Sequence, residues 1–203
     1  MNKLLLSAVT LALLPISASA APCMPGTLAS YIAMGSAGCE LGSLQVMDFT
    51  YEAAAGGGAA KITADQIAVK PLMVPVGTYA LEFAAPWSVE AGQQQRSNIT
   101  YHVISSNTSL PIQQLRLTGN GFNAGTLGEV IVDEAFATPT AAQILKVYLR
   151  CTEVCSSQTL YEVYLSPPAG GLGVADQVGL ESGQGTASMT SFTDWFVVCL
   201  PCA

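Results

Sequence analysis

The chain carries little charge and almost no histidine. Of its 203 residues, seven are Lys or Arg, fourteen are Asp or Glu and one is His. Charged residues are 10% of the whole, under half of the ~25% usual for soluble proteins. The basic residues are not clustered, which argues against nucleic acid, because neutralising phosphates takes grouped Lys and Arg. It argues equally against adsorption to an anionic membrane. His102 is the only histidine a Ser-His-Asp arrangement could use, and no G-x-S-x-G elbow accompanies it. A D-x-D-x-D-G calcium loop is absent. Fourteen acids allow many glycosidase-type carboxylate pairs, yet nothing in the sequence selects one. "GNGFNAG" has the glycines of a close-approach loop but leads into no helix, which disfavours a phosphate cradle. No internal repeat suggests a propeller or solenoid. The sequence therefore assigns no catalytic, cofactor-binding or metal-binding residue.

What is present begins with an export pattern. Lys3 precedes a mostly apolar run from Leu4 to Ile16, and Ala18-Ser19-Ala20 is a small-x-small cleavage box. The run is shorter than the ~20 residues of a membrane span, and no second run of that length follows. Residues 1–20 are read as a signal peptide cleaved near Ala20, and residues 21–203 as one domain without a transmembrane segment. Loss of Lys3 leaves six Lys and Arg against fourteen Asp and Glu, a formal net charge of −8. Only Asp133 and Glu134 are adjacent acids, and neighbours on a strand diverge to opposite faces. The acids read as a solvated surface that aids solubility.

"PGTLASYIAMG" predicts one short helix, with Thr27 as N-cap, Leu28, Tyr31 and Ile32 on one face and Gly35 as terminator. Beyond it the apolar period becomes two. Met47, Phe49 and Tyr51 alternate with Asp48, Thr50 and Glu52. Tyr79, Leu81 and Phe83, then Ile99, Tyr101 and Val103, then Leu145, Val147 and Leu149 do likewise. "PIQQLRLTG", "GEVIVDEAF", "TLYEVYLS", "GVADQVGLES" and "ASMTSFTDWFVV" are less regular versions. Each alternation implies a strand buried on one face. "AAAGGGAA" and "TGNGFNAGTLG" supply turns, and the prolines of "SPPAGGLG" are expected to end a ladder. Nine or ten such strands imply an all-β, antiparallel, jelly-roll-like β-sandwich with one short N-terminal helix.

All six cysteines, Cys23, Cys39, Cys151, Cys155, Cys199 and Cys202, follow the leader. An even number in an exported chain implies disulfides. A Cys23–Cys39 bridge would staple the helix, and Cys151 and Cys155 could lock a hairpin tip. Cys199 and Cys202 could bond each other, reach back to "CTEVC" or link a second molecule. The spacing of "CLPC" also suits a redox dithiol, but such a site needs a following helix to lower the thiol pKa, and a strand precedes it instead. A four-thiolate zinc site with "CTEVC" would span a gap of about 43 residues, and oxidising compartments favour disulfides. Trp87 and Trp195 are the candidate carbohydrate contacts, either of which could stack on a sugar ring or anchor the core. Asn98 and Asn107 open glycosylation sequons.

Two stretches carry a family resemblance. "CMPGTLASYIAMGSAGCELGSLQVMDFTYEAAAGGGAAKITADQIAVKPL" and "LEFAAPWSVEAGQQQRSNITYHV" resemble a family of secreted bacterial all-β proteins, many of which bear a PEP-CTERM sorting signal. The Cys-x-Pro-Gly-Thr-Leu-x-x-Tyr-Ile opening is its most specific part. The resemblance implies an extracytoplasmic β-sandwich, a Cys23–Cys39 bridge and a local pair at Cys151 and Cys155, and it carries no catalytic residues. The family's Pro-Glu-Pro motif, membrane helix and basic tail do not follow "SFTDWFVV", where "CLPCA" stands. That departure implies either release rather than sorting or a shortened sequence.

The leading expectation is a secreted, non-enzymatic structural or adhesive protein of the cell envelope or extracellular matrix, without cofactors. The alternative is a carbohydrate-binding sandwich module, and a carboxylate-pair hydrolase is the third. Partners would be extracellular polysaccharide or other envelope proteins.

Overall fold

The computed structural model describes residues 20–74, 77–138 and 142–199. The proposed leader up to residue 19, and Cys202, therefore lie outside the described residues. Thr27 caps helix α1 (Leu28–Met34) by accepting from the Ser30 amide, and Gly35 ends it at φ 54°. Leu28 and Tyr31 are buried and Ile32 packs against the core, so a helix of two turns persists by docking its apolar face.

The strands are β1 (Gly26–Thr27), β2 (Cys39–Leu41), β3 (Leu44–Gly56), β4 (Ala68–Val74), β5 (Thr78–Val89), β6 (Gln94–Ser105) and β7 (Ile112–Asn120). They continue as β8 (Glu129–Ala137), β9 (Ala142–Cys151), β10 (Cys155–Gln158), β11 (Leu160–Ala169), β12 (Gly171–Glu181) and β13 (Ala187–Val198). One sheet has the order β1-β4-β5-β13-β7-β11 and the other β10-β9-β8-β12-β6-β3-β2. All the named strand pairs are antiparallel. The central quartets, β5-β13-β7-β11 and β6-β12-β8-β9, are joined by repeated crossings from sheet to sheet, which is jelly-roll connectivity. Inward-facing Leu, Val, Ile and aromatic side chains of both sheets form one core. No helix among the described residues is long and apolar enough to cross a membrane.

Three local expectations need correction. The nine patterned segments are all strands, but β1, β2, β4 and β10 join them. β4 contains Pro71 and escapes a periodicity argument. It pairs with β1 only at Ala68 and Val69, so at Pro71 it is already an edge, where proline is tolerated. The prolines at 167 and 168 do not end β11, which bulges between Tyr164 and Ala169 and then resumes pairing at Ile112. β11 is an edge strand, which allows this. Met47 does not share a face with Phe49 and Tyr51. The four residues of β3 from Met47 to Thr50 lie opposite three of β6, His102 to Thr100, and Asp48 takes φ 55°. That bulge inverts the side-chain parity, so Leu44, Val46 and Phe49 are buried while Met47 is not.

Candidate functional site

The outer face of the seven-stranded sheet is shaped by β12. Its inward positions are Leu172, Val174, Asp176, Val178 and Leu180, all buried. Its outward positions are Gly171, Gly173, Ala175, Gln177, Gly179 and Glu181. Four of these six bear a methyl group or nothing beyond the backbone, so most of the middle strand is a low floor, interrupted by Gln177 and ended by Glu181. The neighbours form the walls. β6 presents Arg96, Asn98, Thr100 and His102 opposite Gly179, Gln177, Ala175 and Gly173. β8 presents Ile131, Asp133, Ala135 and Ala137 on the other side. β12 runs for about 35 Å at ~3.3 Å per residue, and the furrow along it comprises a hollow on either side of Ala175 and Gln177.

Its two ends differ in chemistry. One hollow of about 390 Å³ is bounded by Arg96, Gln177, Glu129 and Glu181 and is polar. A second of about 490 Å³, floored by Gly173 and Ala175, is bounded by His102, Ala135 and Ile144 and is more apolar. Both fall in the range of ligand sites, about 300–1,000 Å³. The rim is braced by cross-strand ion pairs. Arg150 Nε donates to Glu129 Oε1 at 2.9 Å, and Lys146 Nζ lies 3.2 Å from Asp133 Oδ1. Tyr148, the register partner of Ile131, stands on the same face and is half-buried.

The reverse side of the same strands holds a second constellation. Glu134 of β8 and Asp176 of β12 are register partners and point between the sheets, where Asp194 of β13 meets them from the opposite sheet. Each is at most 1% exposed, and one oxygen from each lies within 4.8 Å of the others. Tyr101 of β6 closes the group, its hydroxyl donating to Asp194 Oδ2 at 2.5 Å while its ring stacks on Phe49 at 4.9 Å. Burial, then the charge of Asp194, raises the pKa of Glu134 well above the ordinary carboxylate range. Burial, then the charges of Asp194 and Glu134, does the same to Asp176. Asp194 is pushed up to about 7 by burial, opposed by hydrogen bonds from Tyr101 and Asp176. The Asp176–Asp194 bond closes only when Asp176 carries a proton. No other donor among the described residues reaches Glu134 Oε2, Asp176 Oδ1 or Oδ2, or Asp194 Oδ1.

The residues singled out from the sequence fall elsewhere. Trp87 is 1% exposed, packs on Phe192 and donates from Nε1 to Ser97 at 3.2 Å. It therefore anchors the core and offers no face to a sugar. Trp195 is partly buried, donates to Thr118 at 3.1 Å and belongs to the six-stranded sheet, away from the furrow. His102 is exposed beside Asp48, Nδ1 to Oδ2 3.5 Å, at the furrow wall. Two disulfides join Cys23 to Cys39 and Cys151 to Cys155, and Cys199 is disulfide-bonded as well. The reading of all acids as a solvated surface fails for Glu134, Asp176 and Asp194. Each occupies a core slot of an alternating strand: Val132-x-Glu134-x-Phe136, Val174-x-Asp176-x-Val178 and Phe192-x-Asp194-x-Phe196. An acid at core parity was the signal that could have singled them out.

No family model matches the chain, and no curated protein matches it in sequence. Several solved structures overlap it. TmCBM61 in complex with beta-1,4-galactotriose is similar at 12% identity and TM-score 0.31, over 71% of this chain and 86% of that one. The family 11 carbohydrate-binding module of Clostridium thermocellum, bound to a mixed-linked tetrasaccharide, is similar at 9% identity and TM-score 0.29, over 72% and 88%. The enzymatically active domain of tailspike protein 4 of bacteriophage CBA120 is similar at 11% identity and TM-score 0.28, over 80% of this chain and 21% of that one. At these values no residue correspondence carries over.

Proposed function

We propose that the protein is an exported, non-enzymatic carbohydrate-binding β-sandwich that holds a polysaccharide chain in the furrow along β12. The observation that carries this reading is the run of small outward residues on a central strand between walls of amide, hydroxyl and charged side chains. A linear glycan offers a narrow ribbon of hydroxyls, each both donor and acceptor. Arg96, Asn98, Gln177 and Glu181 are the side-chain types that pair with them, and the groove length suits several sugar units. The floor lacks a flat aromatic strip, so the fit is to single chains gripped by hydrogen bonds rather than to a crystalline polysaccharide face. Tyr148 replaces Trp87 and Trp195 as the aromatic candidate. The rim carboxylates Glu129 and Asp133 are tied to cations, which favours holding over acid–base work.

Export agrees with the disulfides, because bridges persist in oxidising compartments, and with the N-terminal pattern. Retention on a matrix polysaccharide is also what an adhesive envelope component would need.

A glycan array and affinity electrophoresis test the proposal, with Ala175→Arg as the blocking variant. Ala175 is outward and exposed, so a long side chain there fills the furrow without entering the core. Retention by a soluble polysaccharide, lost in Ala175→Arg with an unchanged melting curve, supports the reading. Retention by no glycan, or equal retention by the variant, removes it.

A further inference from the structure

We propose that Glu134, Asp176 and Asp194 are the ligands of one hard divalent cation, Ca2+ by coordination habit, held between the two sheets beneath the furrow. The residues come from three strands and both sheets, so an ion there would tie the sandwich together at its centre. This site is independent of the glycan reading, and its test involves no sugar.

The donor set is all oxygen. Such a set selects Ca2+, Mg2+ or Mn2+ over the softer metals. Coordination habit decides among these. The three carboxylates offer oxygens within 4.8 Å of one another, close enough to share one ion. Ca2+ accepts irregular sets of oxygen ligands, carboxylates bidentate among them. Mg2+ demands near-ideal octahedral geometry and prefers to keep several waters, for which a packed core has little room.

The second observation is the state of the oxygens themselves. Buried polar atoms are almost always partnered, yet Glu134 Oε2, both oxygens of Asp176 and Asp194 Oδ1 have no N–H or hydroxyl donor among the described residues. Asp176 is 1% exposed, so bulk water does not supply the missing partners. None of the ion pairs among the described residues brings a Lys, Arg or His to any of the three. A proton shared by Asp176 and Asp194 satisfies one pair and leaves Glu134 Oε2 as it was. One dication addresses all the orphaned oxygens together and offsets two of the three negative charges. Tyr101, already bonded to Asp194 Oδ2, orients that carboxylate toward its partners. A ligand set from distant strands assembles only on folding, so metal binding and folding are coupled.

The test uses the intact exported protein, unfolded in guanidinium with EDTA, refolded metal-free, and melted at pH 7.5 with and without Ca2+. The expected result is a Tm rise of about 5–10 °C at a hundredfold excess over Kd, with one Ca2+ per chain by elemental analysis. Tb3+ bound in place of Ca2+ should luminesce on excitation of the Tyr101 ring beside it. Asp176→Asn should lose the calcium increment, and Glu181→Gln, an outward acid, should keep it. A wild-type melting curve indifferent to Ca2+ and Mn2+ overturns the proposal, and decides it even if Asp176→Asn does not fold. An increment removed by Glu181→Gln and kept by Asp176→Asn also overturns it, by moving the ion to the surface.

Discussion

Asp176 and Glu134 sit directly opposite one another on paired strands, both turned inward, with Asp194 completing the group from the facing sheet. The groups that face each other here are Tyr101, Glu134, Asp176 and Asp194; burial raises all four, and neighbouring negative charge adds to the shifts of Tyr101, Glu134 and Asp176, while hydrogen bonds oppose that of Asp194. Their consequence for stability has a definite sign. An unfolded Asp titrates near 3.9, whereas folded Asp194 is pushed up to about 7. Between those values the folded chain holds protons that the unfolded chain has released. Stability is therefore full below about pH 4 and falls as pH rises through 7. Each proton contributes a slope of about 1.4 kcal/mol per pH unit. Urea melts of metal-free protein from pH 4 to 8 should show this decline, opposite to ordinary acid denaturation. Ca2+ should oppose it, because metal competes with protons for the same oxygens. A stability that rises from pH 4 to 7 in metal-free protein would contradict the buried cluster.

Tyr101→Phe isolates one hydroxyl. The ring contacts with Phe49, Phe83 and Phe196 are available to Phe, so the core stays filled. What goes is the donor to Asp194 Oδ2. Leaving a buried acceptor without its partner costs about 1–3 kcal/mol. The loss should be larger at pH 8, where Asp194 is ionised, than at pH 5. Chemical denaturation at the two pH values measures it, and equal losses would mean the bond does not depend on the charge of Asp194.

The sandwich was legible in the sequence because its strands are long and half-buried, so apolar period two survives in nine of them. The exceptions each broke that period for a physical reason. β1, β2 and β10 are too short to show a period, β4 carries Pro71, and within β3, itself one of the nine, the bulge at Asp48 shifts parity. The furrow was not legible. Gly171, Gly173, Ala175 and Gly179 look like weak strand residues until the strand is known to be central. Trp87 and Trp195 drew attention as aromatics, but exposure depends on which face of which sheet they occupy, and that is a tertiary fact. The buried acids were half legible, since each sits where alternation calls for an apolar residue. Their convergence was not, because 134, 176 and 194 meet only through cross-sheet topology.

Gly173→Val should separate stability from binding. Gly173 is an outward strand position whose added Cβ would meet only His102, at 3.7 Å, an ordinary contact. Glycine weakens a strand and valine favours one, on a scale of about 1 kcal/mol. The variant should melt about 2–4 °C higher. Its isopropyl group would also stand on the furrow floor beneath any ligand. The expected outcome is a more stable protein with weaker polysaccharide retention in affinity electrophoresis. Undiminished retention would place the ligand elsewhere on the surface.

The two described disulfides should contribute unequally. Cys23–Cys39 closes a separation of 16 residues and Cys151–Cys155 one of 4. In the chain-entropy account a loop near 15 residues contributes about 3 kcal/mol, and a loop of 4 about 2. The first bridge also fixes the segment that carries α1, whose Leu28 and Tyr31 fill the core. Releasing it frees a longer chain and loosens that docking. The second joins neighbouring strands β9 and β10, already paired from Cys151 to Tyr148, at an exposed tip. The paired substitution Cys23→Ser with Cys39→Ser should therefore lower the urea midpoint more than Cys151→Ser with Cys155→Ser, at unchanged m. Equal losses would mean that the short loop is stabilised by something beyond closure entropy, and a reversed order would mean that α1 holds its place without the staple.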